Sequence, residues 1–239
     1  MVSKAKKVVA LSGGVGGAKL AVGLAEVLSE DQLLIVANTA DDFTHLGLRV
    51  CPDLDTVMYN LAGIQNKQQG WGIEGETWQF MQQLGKLDGE NWFLLGDKDL
   101  ATHTVRTQLL QQGKNLTAIT GKLFKQFGVA ANVVPMCNET VSTQMQTDEG
   151  LLAFQDYFVR RRCDPVVSAY QFSGIEHATI QSDFAAALAD EALAAVIICP
   201  SNPFVSVEPI LSVPGVREAL KKTAAPVIAV SPIIGGQAL

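Results

Sequence analysis

The sequence predicts an α/β fold, Rossmann-like and doubly wound, with a mainly parallel sheet and a helical insertion. Short β-rich runs without polar alternation recur at 8–11, 33–38, 131–134, 194–199 and 227–230, as in strands buried on both faces of a parallel sheet. Stretches of helical spacing lie between several of them, so β and α alternate along the chain. Small, polar and acidic residues directly follow the strands, and open parallel sheets take their ligands beyond those strand ends.

The first run leads into "SGGVGGAK" and then a helix over 18–28, with Leu20, Leu24, Val27 and Leu28 on one face. The second is followed by "NTADDF". "CPDLDTVMYNLAG" then opens an apolar helical segment on Asp53 and Asp55, one of which serves as its cap. Residues 61–129 are largely polar and poor in β-branched positions, which predicts a helical insertion. Within it, "GWGIEGETWQFMQQLG" reads as an amphipathic helix carrying Trp78, Met81 and Leu84, and "DLATHTVRTQLLQQG" as a second helix closed by Gly113. Helical spacing returns over 151–159 and 216–222, and "PSNPF" and "SPIIGG" follow the last two strands. Residues 1–60 and 130–239 form the core, so 1–239 reads as a single domain.

With 239 residues, 48% hydrophobic and 18% charged, the chain can bury a large core. A net charge of -6 excludes the general basic field that draws in nucleic acid. Four cysteines (Cys51, Cys137, Cys163 and Cys199) form no Cys-x-x-Cys pair and nothing resembles a signal peptide, which predicts a cytoplasmic protein with reduced thiols. Apolar runs such as 193–199 fall far short of the roughly 20 residues a membrane helix needs.

Gly13, Gly14, Gly16 and Gly17 enter a helix, where free N–H groups and the helix dipole suit a phosphate. The alternative is a turn that packs helix closely on strand. Neither standard nucleotide pattern fits: Lys19 stands where a dinucleotide fingerprint has its third small residue, and the glycine and hydroxyl of a P-loop are missing. Lys19 itself either helps hold the anion or is solvated. Asp41 and Asp42 lie beyond the second strand, and adjacent carboxylates there can hold Mg²⁺, which takes oxygen ligands. Asp53 and Asp55 strengthen that reading, since a helix cap needs only one carboxylate. "LGDKDLATH" groups Asp97, Lys98, Asp99, Thr102 and His103, with Asp99 capping a helix and His103 on a polar face as the simplest reading. His45 is a substrate-contact candidate only through its neighbouring acids, and His177 reads as structural. Pro200 and Pro203 fix the chain around Ser201 and Asn202, whose side chains can read a nucleobase or ribose hydroxyl. The basic cluster at 160–163 reads as a solvated helix end.

The stretches "LSGGVGGAKLA", "NTADDFTHLGLRVCPDLDTVMYNLAG", "GWGIEGETWQFM", "LGDKDLATH", "ANVVPM", "LAFQDYFVRRRC", "CPSNPFVSVEPIL" and "APVIAVSPIIGG" stand in one order nearly end to end. In these the chain resembles the 2-phospho-L-lactate transferase family of coenzyme F-420 biosynthesis. The resemblance implies a Mg²⁺-dependent phosphotransferase that moves 2-phospho-L-lactate, or phosphoenolpyruvate, from its guanosine-diphospho-activated form to the ribityl hydroxyl of the deazaflavin Fo, releasing GMP. Such chemistry is largely positioning and charge neutralisation. It implies Asp41 and Asp42 as metal ligands and Asp53 and Asp55 as the catalytic pair that orients the hydroxyl. Asp53, Asp55, Asp97, Thr102 and His103 then form the Fo side. The guanosine nucleotide falls to Gly13, Gly14, Gly16, Gly17, Lys19, Ser201, Asn202 and Pro203. A homodimer is expected, with neither nucleic acid nor membrane as partner.

Two departures qualify the match. "MCNETVST" differs from the acidic, proline-containing form expected after "PM", so no ligand contact is assigned to Cys137 or Asn138. The resemblance also leads us to expect a further C-terminal segment after "SPIIGGQAL", with a bearing on activity and dimerisation. Two other readings compete: a nucleotide-sugar-binding regulator of the gluconeogenesis-factor type, and a dehydrogenase-like Rossmann protein. The second acidic pocket argues against the first, and the missing third glycine against the second.

Overall fold

The computed structural model describes residues 6–235 and 237–238. The chain opens with β1 (Lys7–Ser12), α1 (Gly14–Val27) and β2 (Leu33–Ala37). A hairpin of β3 (Phe43–His45) and β4 (Leu48–Val50) follows, then α2 (Pro52–Leu61). Three helices occupy the predicted insertion: α3 (Gln79–Lys86), α4 (Asp97–Gln111) and α5 (Leu116–Gln126). Next come β5 (Asn132–Pro135) and the strands β6 (Ser142–Thr147), β7 (Gly150–Ala153) and β8 (Val167–Ser173). The chain then runs through α6 (Ser182–Leu188), β9 (Leu193–Ile198), α7 (Glu208–Ser212), α8 (Val216–Lys222) and β10 (Val227–Ala229).

The five predicted strands pair in the order β10-β9-β1-β2-β5, all parallel. Their lack of alternation has a direct cause. Val9, Leu11, Val36 and Val196 pack on one face against Phe184, Ile210 and Val216 from α6, α7 and α8. Ala10, Ile35 and Val133 pack on the other against Leu54 and Met58 of α2 and Leu123 of α5. Each of the larger of these side chains contributes roughly 1.5–3 kcal/mol by leaving water. From β1 the chain winds outward to β2 and β5, then returns to the other side for β9 and β10. The strand order therefore reverses between β1 and β9, which opens a crevice at their carboxyl ends.

Three local readings need correction. The first helix begins at Gly14, so the glycine loop is itself the first helical turn. Residues 151–159 are not one helix: Gly150, at φ +106°, turns the chain so that β7 pairs with β6, and helical backbone starts only at Phe154, running into a π-helical turn over Asp156–Arg160. Between 142 and 173 the strands form an antiparallel sheet, β7-β6-β8, that the sequence reading missed. Its strands, such as "STQMQT" and "VSAYQFS", carry too many polar residues to stand out as buried. The short β3–β4 hairpin escaped notice too. It turns on Leu46 and Gly47, with φ of +53° and +76°, as a two-residue turn with two left-handed positions requires. "SPIIGG" follows β10, and its final Gly236 lies outside the described residues.

Candidate active site

The crevice floor is the joint between the glycine loop and the turn after β9. Ser201 clasps Gly13 twice: its Oγ accepts from the Gly13 N–H at 3.1 Å, and its hydroxyl donates to the Gly13 carbonyl. A Cβ on Gly16 would run into the Pro200 carbonyl, and one on Gly17 would lie 2.6 Å from Ser12 Oγ. One on Gly13 would lie 2.6 Å from Ser206 Cβ and 2.8 Å from Asp53 Oδ2. Close packing of helix on turn thus explains these three glycines. At Gly14 a Cβ would meet only Asp53 Oδ1, at 3.7 Å, and the residue needs a left-handed φ of +55°. Asn202 accepts from the N–H groups of Phe204 and Val205 at 3.0 and 3.4 Å and so caps the π-helical turn Pro203–Val207. The acceptor oxygens of Ser201 and Asn202 are therefore used inside the protein. Lys19 and Pro203 are exposed.

Asn38, at the end of β2, organises the acidic edge. Its Nδ2 donates to Asp53 Oδ2 at 2.9 Å and lies 3.3 Å from the Val205 carbonyl. Asp53 also accepts from the Gly14 N–H, so a carboxylate sits at the start of α1. Asp41 faces the same cluster, accepting from Thr143 Oγ1 at 3.2 Å and hydrogen-bonding Asn38. Burial raises the Asp41 carboxyl well above its usual value, and the Asp53 charge raises it further. Burial lifts Asp53 to about 6 against the opposing pull of its hydrogen bonds. Neither acid has a cationic partner among the described residues.

Asp42 turns the other way. Burial raises it to about 7, opposed chiefly by Arg49, whose guanidinium lies 3.4 Å away, and its Oδ1 finds no hydrogen-bond partner. The adjacent pair Asp41–Asp42 is thus divided between two clusters, and Asp41 is grouped with Asp53 instead. Helix α2 takes Cys51 as its N-cap with Pro52 behind it, so neither Asp53 nor Asp55 acts as the cap. Both sit in the first turn, where acids favour the helix dipole.

Asp55 belongs to a buried chain of polar side chains between α2 and α4. Arg106 grips it with both terminal nitrogens, one at 3.1 Å, and also meets the Arg49 carbonyl and His103 Nδ1 at 3.3 and 3.1 Å. A guanidinium can only donate, so Nδ1 accepts and Nε2 carries the proton, 3.2 Å from Asp99 Oδ2. Tyr59 completes the chain, donating to Asp99 at 2.5 Å. Asp55, Asp99 and His103 offer ligand atoms within 4.8 Å of one another, the one such trio among the described residues. Arg106 already supplies their cation, which makes this a poor place for a second one.

Residues of "LGDKDLATH" therefore divide as well. Asp97 accepts from Thr77 Oγ1 at 2.5 Å and from the N–H groups of Gln79 and Phe80, capping α3 from outside; those bonds, the Thr77 one first, lower its pKa. Glu76 returns the favour for α4 by accepting from Lys98 and Asp99 N–H. The α4 N-cap is Gly96, so Asp99 is no cap, and His103 is buried rather than on a polar face. Thr102 is buried beside a cavity of about 550 Å³ whose walls include Ile64, Ile73, Lys98, Val105 and Phe127. His45 packs edge-to-face on Trp92 at 5.1 Å, with Nε2 unpartnered, and burial lowers its pKa. His177 is exposed. Asn138 accepts from the Thr117 N–H and hydroxyl, both at 2.9 Å, and Cys137 is buried.

The sequence reading missed Asn38, Arg49, Thr143 and Arg106. Arg106 had a signal: Asp99, His103 and Arg106 recur at helical spacing, i, i+4 and i+7, on one face of α4. The others had none: Arg49 meets Asp42 only through the β3–β4 hairpin, Asn38 meets Asp53 only once α2 packs beside β2, and Thr143 reaches Asp41 across 102 residues of chain.

Comparison with known proteins agrees with this architecture. The family model for 2-phospho-L-lactate transferase CofD matches residues 8–238. A 2-phospho-L-lactate transferase of Methanosarcina mazei is 42% identical over 224 residues, covering 94% of this chain and 73% of its own. A phosphoenolpyruvate transferase of Mycobacterium tuberculosis is 41% identical over 253 residues, covering 98% of this chain and 76% of its own. Among solved structures, a UPF0052 family member from Bacillus halodurans superposes with a TM-score of 0.62 at 17% identity, over 93% of this chain and 67% of that one. That likeness concerns the fold alone. No helix among the described residues is long and apolar enough to cross a membrane.

Proposed function

The chain belongs to the 2-phospho-L-lactate transferase CofD family, and on that premise we propose that it carries a phospho-three-carbon-acid group from a guanosine-diphospho donor to the ribityl hydroxyl of the deazaflavin Fo, releasing GMP. The observation that carries this reading is the Asp41–Asn38–Asp53 cluster at the start of α1. Two buried carboxylates without a cation adjoin the first turn of α1, where the helix dipole suits a metal-bound diphosphate. Mg²⁺ fits there by donor chemistry, since both acids are raised by burial and Asp41 further by the Asp53 charge. When bound, it would neutralise charge on the transferring phosphoryl group. Asp41 and Asp53 would hold it, rather than Asp41 and Asp42.

In this scheme the first turn of α1 orients the donor phosphates. Asp53, the carboxylate nearest that turn, orients the incoming hydroxyl and accepts its hydrogen bond. Asn38 keeps Asp53 aimed by its 2.9 Å bond. Asp55 has a supporting role, because Arg106 occupies both its oxygens. His103 and Asp97 act on the acceptor side only through the helices they fix. Free thiols at all four cysteines support a reducing, cytoplasmic setting. A homodimer follows from the family resemblance alone.

The test is to combine the protein, Fo and Mg²⁺ with guanosine-activated phospholactate and, separately, with the phosphoenolpyruvate form. GMP and a deazaflavin phosphodiester in the mass spectrum are the expected products. Relatives at 42% and 41% identity carry one donor name each, so both belong in the assay. Absence of product from every three-carbon donor would sink the transferase reading, and nucleotide binding without GMP release would favour a regulator.

A further inference from the structure

Two large aromatic rings stand open above the crevice. Phe204, in the turn after β9, is 60% exposed, and Tyr170 on β8 is 38% exposed. Their ring centroids lie 6.1 Å apart at 62°. Neither ring has a part in the polar networks below it.

Both walls of the crevice hold this pair in place. The Phe204 N–H is fixed by Asn202 at 3.0 Å, and the carbonyl of the next residue, Val205, lies 3.3 Å from the Asn38 nitrogen that donates to Asp53. On the other wall, Tyr170 leans on Phe172 at 5.6 Å, and Phe172 is the register partner of Thr143, whose hydroxyl reaches Asp41. The rings thus bridge the two elements that flank the Asp41–Asp53 carboxylates.

We propose that Phe204 and Tyr170 form a stacking ledge for the purine base of the nucleotide donor. The proposal rests on the donor reading above and adds to it the place of the base. Bases stack on aromatic side chains through their π-faces, with no need for edge readout. A nucleoside diphosphate with its phosphates at the first turn of α1 extends outward by its ribose, and its base is the flat apolar part that can cover these rings. The donor rather than the acceptor is favoured because Phe204 hangs on the same turn that closes the glycine loop through Ser201 and Gly13. Ring and phosphate site are therefore parts of one rigid joint.

Calorimetric titration of GDP and of inorganic pyrophosphate, both with Mg²⁺, tests the ledge on the parent protein and on F204A, F204W and Y170L. Phe204 is exposed, so its replacement leaves the core intact. F204A is expected to weaken GDP about tenfold or more, the scale of one stacked base, while pyrophosphate binding stays unchanged. F204W is expected to restore GDP, and Y170L to weaken it less than F204A does. Equal loss of both ligands, or no loss of GDP, overturns the ledge and leaves the donor reading intact. A rise confined to the KM for Fo gives the rings to the acceptor and overturns it equally. If the parent protein binds neither GDP nor pyrophosphate, the donor reading itself fails and takes the ledge with it.

Discussion

Two carboxylate clusters built from neighbouring residues face opposite electrostatic conditions. Asp41 and Asp53 are buried with the Asn38 amide, a hydroxyl and a helix N–H for company, and no cation. Asp55 and Asp99 are buried with Arg106 and His103 between them. Burial penalises charge in both, but only the second cluster contains its own compensation. The difference separates acids whose charge is met by a cation inside the fold from acids whose charge is not. A carboxylate gripped by a guanidinium on both oxygens has little left for a ligand, whereas one held by an amide retains acceptor capacity.

Removing the internal cation should have the largest effect. Arg106→Leu leaves Asp55 and Asp99 buried without it, and a loss of about 3–5 kcal/mol in urea unfolding is expected. A loss below about 1 kcal/mol would show that the two clusters are not different in kind. The converse change, Asp53→Asn, removes a charge that has no partner. It should cut turnover by roughly a hundredfold or more while stability holds and GDP affinity measured without Mg²⁺ stays level or improves, since the start of α1 then faces no carboxylate. Matching losses in turnover and in metal-free nucleotide affinity would move Asp53 out of the hydroxyl-orienting role.

A smaller effect separates the clusters by pH. Asp42 and Asp53 hold protons in the folded state up to about 7 and about 6, against 3.8 for a free carboxyl. Raised folded values mean that their contribution is complete below the unfolded value and is lost as pH rises through the folded ones. The metal-free protein should therefore lose thermal stability from these groups between about pH 4 and pH 7. Asp42→Asn should flatten part of that slope, and saturating Mg²⁺ should offset the Asp53 part by binding its ionised form. An identical slope in Asp42→Asn, followed by scanning calorimetry, would remove Asp42 as a source.

Much of the frame was legible because its signals are local. The strands at β1, β2, β5, β9 and β10 are apolar without alternation, and both faces of the sheet are indeed covered. The antiparallel sheet was not legible, because strands with one wet face and many polar residues look like loop until their partners are known. In the site, "NTADD" and "PDLD" marked four acids that are all buried. Nothing in them tells which way each side chain points.

The sequence by itself determined the parallel sheet, the glycine-to-helix joint and the presence of an acidic edge, since periodicity and composition over a few residues suffice for each. Only the tertiary structure decided that Gly13, Gly16 and Gly17 make room for protein rather than for ligand, and that Asp41 joins Asp53 while Asp42 and Asp55 turn to arginines. The reason is physical. A carboxylate's chemistry depends on the charges and dipoles within a few ångströms, and Asn38, Thr143 and Arg106 reach that distance only when strands and helices far apart in the chain have packed.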